Sequence, residues 1–389
     1  MYILDNLKIT TSGSTGRYSA TISRGNDVFE AYICVPSGFS NFLSDSLDSV
    51  LMVTLPAAMS HGEDILVRGP VSRQLLRRVS SQMQELLICN KPQLKRIQVW
   101  HEGPFFKAPD GKRYIATGCT GGVDSFATLM EHLIEEDDED EKITHLVHNI
   151  FDRRPGPAEI ERPLVEEISA SLNVPLISVR SNLDKLLSPP WSKQNFTAIN
   201  MHSIYNNAVA IALSNALRKF YYSSGYHYSS LYFGPHKSIA LIDPELLRLM
   251  SSAGVDLESA GLTYTRVQKT EIVARSEVAQ KYINVCLRKK AGRGFQNCGI
   301  CTKCKRTLLA LELYGALADF EESFDLQAWR RVRDDYVWHV SVSKGLFERE
   351  LQMLLREKEY ARSFSRMFPA LTKFYVASAK DTLRPLLRR

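Results

Sequence analysis

Four cysteines in the last third of the chain have the spacing of a metal site. The pattern C-x11-C-x2-C-x2-C is formed by Cys286, Cys298, Cys301 and Cys304. Four thiolates in a tetrahedral array are the preferred ligand shell of structural Zn²⁺, and iron–sulfur clusters use the same ligand type. The spacing alone does not separate the two metals, and zinc is the one we favour.

The other three cysteines are isolated in the sequence. Cys34 and Cys89 are predicted to be core residues, and a packing role is favoured for Cys119. In a chain without an export signal, clustered cysteines favour metal ligation over disulfides.

A candidate phosphate-binding loop follows an apolar strand near the middle of the chain. The segment Tyr114–Ser125 reads YIATGCTGGVDS, and a helix is predicted to start within it. Gly121 and Gly122 let the backbone approach phosphate oxygens, because they carry no Cβ. Free N–H groups at the helix start then face the charge, assisted by the helix dipole. The hydroxyls of Thr120 and Ser125 supply further donors.

The same loop also offers a carboxylate for a metal that accompanies phosphates. Asp124 can hold Mg²⁺ beside the phosphates of ATP. A G-x-x-x-x-G-K-[ST] pattern does not occur in the chain, which argues against a motor or switch NTPase. The ATP-binding residues predicted in this segment are Gly118, Thr120, Gly121, Gly122, Val123, Asp124 and Ser125.

Strands alternate with helices around these residues. This alternation predicts an α/β fold with a doubly wound parallel sheet over residues 109–320. The predicted strands are Arg113–Thr117, Ile143–His148 and Val174–Val179. The predicted helices are Asp124–Glu135, Ala158–Leu172 and Ser203–Phe220.

Two further regions flank this α/β segment. Residues 1–108 are predicted to form a small N-terminal α+β domain, with strands at Tyr18–Ile22 and Val28–Cys34 and a β-prone run at Val50–Leu55. Ser72 is predicted to cap one helix, whose apolar positions follow the 3.6-residue period: Leu75, Leu76, Val79, Met83, Leu86 and Leu87. Residues 321–389 are predicted to be a helical, increasingly basic extension.

Composition limits the class of protein. The chain has 389 residues, 44% of them hydrophobic and 24% charged, with a formal net charge of +6. This length predicts two or three domains, and the charge permits an anionic substrate such as a nucleotide. The sequence contains no run of eighteen apolar residues and no secretory signal pattern, so we expect a soluble cytoplasmic protein without membrane contact.

The loop and the cysteines together resemble one enzyme family. Thr120–Ser125 resembles the Ser-Gly-Gly-x-Asp-Ser loop of PP-loop ATP pyrophosphatases, with Thr in the first position. Lys269-Thr-Glu-Ile, followed by Cys286 and then by Asn297–Arg306, resembles the motif order of 7-cyano-7-deazaguanine synthases. The resemblance covers residues 113–315. It implies the PP-loop, HUP-like fold of the adenine nucleotide α-hydrolase type, with the zinc site beside the active centre.

The resemblance also assigns expected roles to further residues. Asp124 and Ser125 are expected to act in catalysis, and Lys269 and Arg306 to stabilise phosphate charge or to form surface salt bridges. His148 is expected to border the adenine pocket. Asp243 corresponds in order to a substrate loop of the synthases, and an Asp-Pro turn is the alternative. His202, His236 and Lys237 are expected to bind substrate for a different reason, since they lie where it could approach the carboxyl edge of the sheet.

The activity implied by the resemblance is carbon–nitrogen ligation. ATP would adenylate the carboxylate of a deazapurine such as 7-carboxy-7-deazaguanine, releasing pyrophosphate, and ammonia or another amine would displace AMP. The product would be an amide, a nitrile or a deazaguanine conjugate. Larger relatives in bacterial defence operons suggest a protein or nucleic acid as acceptor, and a homodimer is compatible with the sequence. A tRNA thiolase with the same loop and a non-catalytic nucleotide-binding partner remain the alternatives.

Overall fold

The structure is a computed structural model that describes most of the chain. It covers residues 1–111, 113–152, 157–196, 198–288 and 296–358, with side chains left out at 157–160 and 198–200. The predicted basic extension therefore lies outside the described residues from 359 onwards. Within the described residues, the helices α11 (Leu326–Val342) and α12 (Leu346–Glu357) agree with the helical prediction for the region after 320.

The chain divides into two compact units, Met1–Tyr264 and Thr265–Arg389. The strands, all in the first unit, are β1 (Tyr2–Ser12), β2 (Thr15–Arg24), β3 (Asp27–Pro36), β4 (Ile65–Arg68), β5 (Val99–Glu102), β6 (Tyr114–Gly118), β7 (His145–Phe151), β8 (Leu176–Ser181), β9 (Leu217–Ser223) and β10 (Asp256–Ala260). Its helices are α1 (Asp48–His61), α2 (Arg73–Val79), α3 (Gln82–Asn90), α4 (Val123–Leu129), α5 (Pro157–Leu172), α6 (Ala198–Ala212) and α7 (Asp243–Met250).

One ten-stranded sheet runs through the first unit in the order β10-β9-β6-β7-β8-β3-β2-β1-β4-β5. The strands from β10 to β8 are parallel, and β3 joins β8 in antiparallel register, with Ile33 opposite Ser181 and Cys34 opposite Arg180. The predicted boundary at residue 108 differs from the division that the structure makes, because the N-terminal strands extend the same sheet. The predicted boundary at 320 differs as well.

The parallel part of the sheet changes its winding direction beside β6. The chain passes from β6 to β7 and β8 on one side, then returns to β9 and β10 on the other. Open α/β sheets bind ligands outside the carboxyl ends of the strands at such a switch point. Gly118 ends β6 there, so the loop that follows it has the position in which Rossmann-like sheets hold ligands.

Helices cover both faces of these parallel strands. Ala116, Val147 and Phe220 face the large core that also contains α1 and α6. The other face carries α4 and α5, which contact β9 and β7 respectively. The predicted α/β class with a large, mostly parallel sheet is therefore confirmed.

The β-prone run Val50–Leu55 was wrongly predicted, because it forms the middle of helix α1. Every residue of α1 from Asp48 to Ser60 is buried. A helix that is covered on all sides needs no polar face, so its sequence lacks the 3.6-residue alternation that identifies surface helices. The prediction failed because periodicity cannot separate such a helix from a buried strand.

The helix predicted after Ser72 is two helices, α2 and α3. The break lies at Ser80 and Ser81, whose hydroxyls donate to the carbonyls of Leu76 (2.8 Å) and Arg77 (2.9 Å). Serine hydroxyls that bond back to the preceding turn compete with helix continuation. Ser72 does precede the first helix, but its hydroxyl and its N–H both donate to the buried Asp48 carboxylate.

The helix predicted over Ser203–Phe220 ends earlier than expected. Helix α6 stops at Ala212, and the last four residues of the predicted helix begin strand β9. Asn215 lies in the connection, where its side-chain amide donates to the Leu43 carbonyl at 2.8 Å. A hydrogen bond outside the helix fixes this turn.

The second unit is helical where it is described. Besides α11 and α12 it contains α8 (Arg266–Ala274), α9 (Glu277–Tyr282) and α10 (Thr302–Leu313). Helix α8 begins with a capping box, in which Thr265 and Gln268 bond to each other's backbone N–H. Helices α8, α11 and α12 all contact α10, and Trp329 and Tyr336 of α11 are buried.

Candidate functional site

The loop between β6 and α4 has a fixed internal geometry. Gly121 has φ +70°, a conformation that side chains strongly disfavour. The buried Ser125 hydroxyl donates to the Gly118 carbonyl at 2.9 Å and accepts from the Thr120 N–H at 3.4 Å. Asp124 lies in the first turn of α4 and is half-buried. Six of the predicted ATP-binding residues thus form one turn, closed by the Ser125 hydroxyl, directly after Gly118.

His148 supports the same loop from the neighbouring strand. Its side chain is 1% exposed, and its Nδ1 lies 3.2 Å from the carbonyl oxygen of Cys119. The Cys119 N–H also donates to the Val147 carbonyl at 2.9 Å. His148 therefore joins the predicted site by positioning the loop backbone from strand β7.

A buried polar cluster lies on the α6 face of the same sheet. Its members Tyr222 of β9 and Asn149 of β7 come from the strands that flank β6. Asn149 donates to the Asn206 side chain of α6 at 3.2 Å. Ser203 of α6 is a polar neighbour of both Tyr222 and Asp243. Sequence reasoning missed Ser203 and Asn206 of α6 and Tyr222 of β9, because no local motif connects the helix with the strand.

Asp243 is the charged group of this cluster. It is the first residue of α7, is 1% exposed, and has no hydrogen-bond partner of normal geometry on either carboxylate oxygen among the described residues. Burial raises the pKa of Asp243 to about 7, and the nearby Ser203 hydroxyl offsets only part of that rise. A carboxyl in this state is available to a ligand that brings N–H donors.

The raised pKa of Asp243 predicts a pH-dependent stability. Ionisation of the buried carboxyl costs free energy, so wild-type stability should fall as the pH rises from 5 to about 7. The Asp243→Asn variant lacks this ionisation and should gain up to about 3 kcal/mol relative to wild type between pH 5 and pH 8. Urea unfolding at both pH values measures the difference. Equal pH dependence in wild type, in Asp243→Asn and in the exposed control Asp137→Asn would contradict it.

The other predicted substrate residues are placed differently. His202 is half-buried in α6, next to Ser203 of the polar cluster. His236 and Lys237 have exposed side chains on a loop, and their backbone carbonyls accept hydrogen bonds from the Lys91 ammonium. No hydrogen bond or ion pair in the described ranges joins either residue to the phosphate loop. Asp243 thus lies close to Ser203, the residue that follows His202, whereas His236 and Lys237 lie at the surface.

The four clustered cysteines converge in the second unit. Their sulfur atoms all lie within 4.8 Å of one another, and all four residues are buried. Tetrahedral thiolates around zinc have Zn–S bonds of about 2.3 Å and therefore S–S edges of roughly 3.8 Å. The separations of 3.3 Å between Cys301 and Cys304 and 4.0 Å between Cys298 and Cys304 bracket that edge. The cluster can therefore hold one metal ion such as zinc.

The thiols already influence one another's ionisation. The contact between the two sulfurs lowers the pKa of Cys301 and raises that of Cys304. Cys301 is the N-cap of α10, and Cys304 lies in its first turn. The positive end of the helix dipole favours thiolates at this position.

A tight turn brings Cys298 to the start of α10. Gly299, with φ +67°, makes the turn, and a Cβ there would lie 2.3 Å from the Asp325 carbonyl oxygen. Asp325 caps α11 by accepting from the Ala328 N–H at 2.8 Å. Only glycine fits between the cysteine turn and the start of α11.

The buried Asn297 side chain holds the segment that carries Cys286. Its Oδ1 accepts from the N–H groups of Val285 (2.8 Å) and Cys286 (3.1 Å). Its Nδ2 donates to the carbonyls of Ile283 (2.7 Å) and Ser323 (3.0 Å). Asn297 belongs to the motif that suggested the metal site, but its role as a positioning residue was not predicted.

Replacement of Asn297 by alanine should weaken metal binding. The change leaves two buried N–H groups and the Ile283 carbonyl without their partners, while the Ser323 carbonyl keeps only the backbone N–H of residue 297, and this should cost about 2–4 kcal/mol. Loss of a residue that orients metal ligands typically lowers metal affinity about 10–100-fold. Competition with a chromogenic chelator measures the affinity. The half-buried Asn284, in the segment between α9 and Cys286, supplies the matched control Asn284→Ala, and equal affinities in both variants would disprove this role.

Lys269 and Arg306 belong to the second unit, with the cysteines. Lys269 of α8 is 1% exposed. Arg306 of α10 pairs with Glu348 at 3.6 Å, and its guanidinium lies 3.9 Å from the ring centroid of Phe347. Arg306 therefore has a structural contact with α12, and the catalytic roles of both residues stay predictions.

The isolated cysteines differ in burial. Cys119 is 1% exposed, and burial raises its pKa to about 12, which fits the predicted packing role. The prediction that Cys34 and Cys89 are core residues was wrong. Cys89 is exposed on α3, and Cys34 is half-buried on β3, with an Arg17 guanidinium nitrogen 3.7 Å from its sulfur.

Helices of the described ranges are all too short or too polar to cross a membrane. Comparison with models of protein families and with curated proteins gives no match to this chain.

Proposed function

We propose that this chain is an ATP-dependent, AMP-forming carbon–nitrogen ligase with a PP-loop. Its substrate would be the carboxylate of 7-carboxy-7-deazaguanine or of a related deazapurine. The products would be pyrophosphate, AMP and an amide, a nitrile or a deazaguanine conjugate. A protein or nucleic-acid acceptor, and a role in antiviral defence, belong to the same proposal.

The observation that carries this proposal is the position of the Thr120–Ser125 loop. It follows the central strand β6 at the switch point and opens a helix. Gly121 has the positive φ that lets backbone N–H groups face an anion. Backbone and hydroxyl donors there are suited to the β- and γ-phosphates, and the Asp124 carboxylate is suited to the Mg²⁺ that accompanies them.

The amide or the conjugate forms in two balanced steps in this proposal, and a nitrile would need a second ATP to activate the amide oxygen, which then leaves with AMP. A carboxylate oxygen of the substrate attacks the α-phosphorus of ATP, the bond to the bridging oxygen breaks, and pyrophosphate leaves. An amine nitrogen then attacks the acyl carbon, AMP departs with the former carboxylate oxygen, and the nitrogen loses a proton. The loop residues assist the first step, because they stabilise charge that builds up on the departing pyrophosphate.

The Asp243 cluster supports the assignment of a deazapurine. A guanine-like base presents adjacent N–H groups on one edge, and a carboxylate accepts two such donors well. Asp243 offers two carboxylate oxygens, with only the Ser203 hydroxyl as a polar neighbour and no hydrogen bond of normal geometry in the described part of the chain. N–H donors from a ligand would favour the ionised form of this buried group and so lower its pKa again.

The cysteines favour a ligase over a thiolase. The four clustered thiols lie close enough to share one metal ion, which suits a closed structural site better than a sulfur carrier. Cys119, the cysteine within the phosphate loop, is held as a neutral thiol by its raised pKa of about 12. A sulfur-transfer reaction needs an accessible thiolate or a cluster with an open position.

The test is pyrophosphate release from ATP by the full chain. The assay contains Mg²⁺ and 7-carboxy-7-deazaguanine, with and without ammonium, and mass spectrometry of the same reaction identifies acid, amide or nitrile. We expect release that depends on the deazapurine, together with AMP in equal amount. A deazapurine-dependent adenylate that accumulates without ammonium would support the two-step order.

Two results would contradict the proposal. Hydrolysis of ATP to ADP and phosphate would mean that the loop serves another reaction. Absence of pyrophosphate release with the deazapurine, in protein that still binds ATP, would rule out the small-molecule synthase and leave a tRNA or protein acceptor, or a non-catalytic role, as the explanation.

A further inference from the structure

A cavity of about 410 Å³ beside α2 has a wall made largely of arginine. Its lining consists of Arg73, Gln74, Arg77, Arg78, Phe106 and Ala253. Helix α2 buries Leu75 and Val79, which leaves its three arginines on the cavity side. None of these residues belongs to the phosphate loop or to the Asp243 cluster.

The three arginines of this cavity have no ion-pair partner among the described residues. Two nearby arginines show the contrast, since Arg96 pairs with Glu85 and Arg248 pairs with Glu245, each at 2.6 Å. The three cavity arginines form no ion pair within 4.0 Å with any acidic residue of the described ranges, and no acidic residue lines the cavity.

Arg78 shows the electrostatic consequence of this arrangement. One guanidinium nitrogen donates to the Ser251 carbonyl at 2.8 Å, which fixes the side chain at the cavity wall. Burial and the nearby Arg248 cation lower the pKa of Arg78, and the carboxylates of Asp256 and Glu245 offset only part of this effect. The surroundings thus disfavour the cation, and an anion in the cavity would relieve this cost.

The chemistry of the lining matches phosphate groups attached to an aromatic base. Guanidinium groups bind phosphate oxygens through two parallel hydrogen bonds, and several of them in one cavity suit more than one phosphate oxygen. The Arg73 guanidinium lies 4.1 Å from the ring centroid of Phe105, which is 38% exposed. Small-molecule sites have volumes of roughly 300–1,000 Å³, so this cavity has room for a nucleotide rather than for a lone ion.

We propose that the arginine cavity is a second nucleotide-phosphate site, separate from the phosphate loop. Arg73, Arg77 and Arg78 bind the phosphate oxygens, and the exposed part of the Phe105 ring, beside Arg73, supplies aromatic surface for a base. The phosphates come either from single-stranded RNA or from a free nucleotide. This proposal does not depend on the ligase reaction, because it concerns binding alone.

The test measures binding by the full chain in an Asp124→Asn background, which weakens the proposed ATP site at the loop. Fluorescence anisotropy follows a fluorescein-labelled single-stranded RNA of mixed sequence, and calorimetry follows ATP. The Arg73→Gln/Arg77→Gln double variant should bind the ligand of the cavity with an affinity at least about tenfold lower. If that ligand is RNA, the slope of log K against log salt concentration should become less negative by about 1.4, because two phosphate contacts are lost.

Matched variants and the two probes decide between the outcomes. Arg96→Gln removes an arginine of the same region that already has a carboxylate partner, and should leave binding unchanged. If the double variant loses affinity only for RNA, the cavity is a nucleic-acid site. If it loses affinity only for ATP, the cavity is a free-nucleotide site. The proposal fails if neither probe binds, if binding is unchanged in the double variant, or if Arg96→Gln weakens binding equally.

Discussion

The Cys304→Ala variant should lose its zinc and much of the stability of the second unit. Cys304 lies at the centre of the cluster, 3.3 Å from the sulfur of Cys301 and 4.0 Å from that of Cys298. Structural zinc contributes about 10–16 kcal/mol of apparent free energy in zinc-finger peptides. The second unit also has a core of its own around Trp329 and Phe320, so we expect a smaller loss, of at least about 3 kcal/mol.

Metal analysis and urea unfolding check this expectation. Wild-type protein should contain one zinc per chain and should be colourless, whereas an iron–sulfur cluster would absorb visible light. Cys89→Ala, on the exposed surface of α3, is the matched control and should keep its metal. One full equivalent of zinc in Cys304→Ala would show that the four thiols are not its ligands.

The Asp124→Asn variant should lose pyrophosphate release by about 1,000-fold while remaining folded. The side chain lies in the first turn of α4, beside the loop proposed to hold the phosphates. Asparagine keeps the shape but removes the charge that would hold Mg²⁺. Loss of several kcal/mol of charge stabilisation corresponds to this factor, because each 1.36 kcal/mol changes a rate tenfold. The rate of pyrophosphate release at saturating ATP and deazapurine measures it.

The control for this variant is Asp137→Asn, which changes an exposed acidic residue after the same helix region. It should keep wild-type activity, and both variants should unfold at the same urea concentration as wild type. An Asp124→Asn enzyme with more than a tenth of wild-type activity would remove Asp124 from the catalytic machinery. The phosphate loop would then need another carboxylate for Mg²⁺.

Local motifs were the part of the site that the sequence could predict. The turn Thr120–Ser125 and the cysteine pattern each occupy a short segment, so residue type and spacing describe them almost completely. The structure gathers each of the two groups as expected. Asn297 sits within the cysteine motif, yet its four hydrogen bonds go to backbone groups on both sides of the metal cluster. No spacing rule identifies such a partner.

Long-range pairing was the part that the sequence could not predict. The antiparallel pairing of β3 with β8 joins Cys34 to Arg180, residues that nothing in either strand connects. It merges the expected N-terminal domain with the phosphate-loop sheet. Similarly, Asp243 gained its importance from burial beside Ser203 and Tyr222, which lie on other elements. Periodicity describes one element at a time and does not predict which residues of different elements come into contact.

The complete burial of α1 has a consequence for the order of folding during synthesis. Ser49 of this helix donates to the carbonyl of Ala208, and much of its cover comes from α6, about 150 residues later in the chain. The apolar helix α1 therefore leaves the ribosome long before α6, which covers it, has been synthesised. Until α6 has emerged, the nascent chain presents this helix to water and to chaperones, and only then can the first unit close.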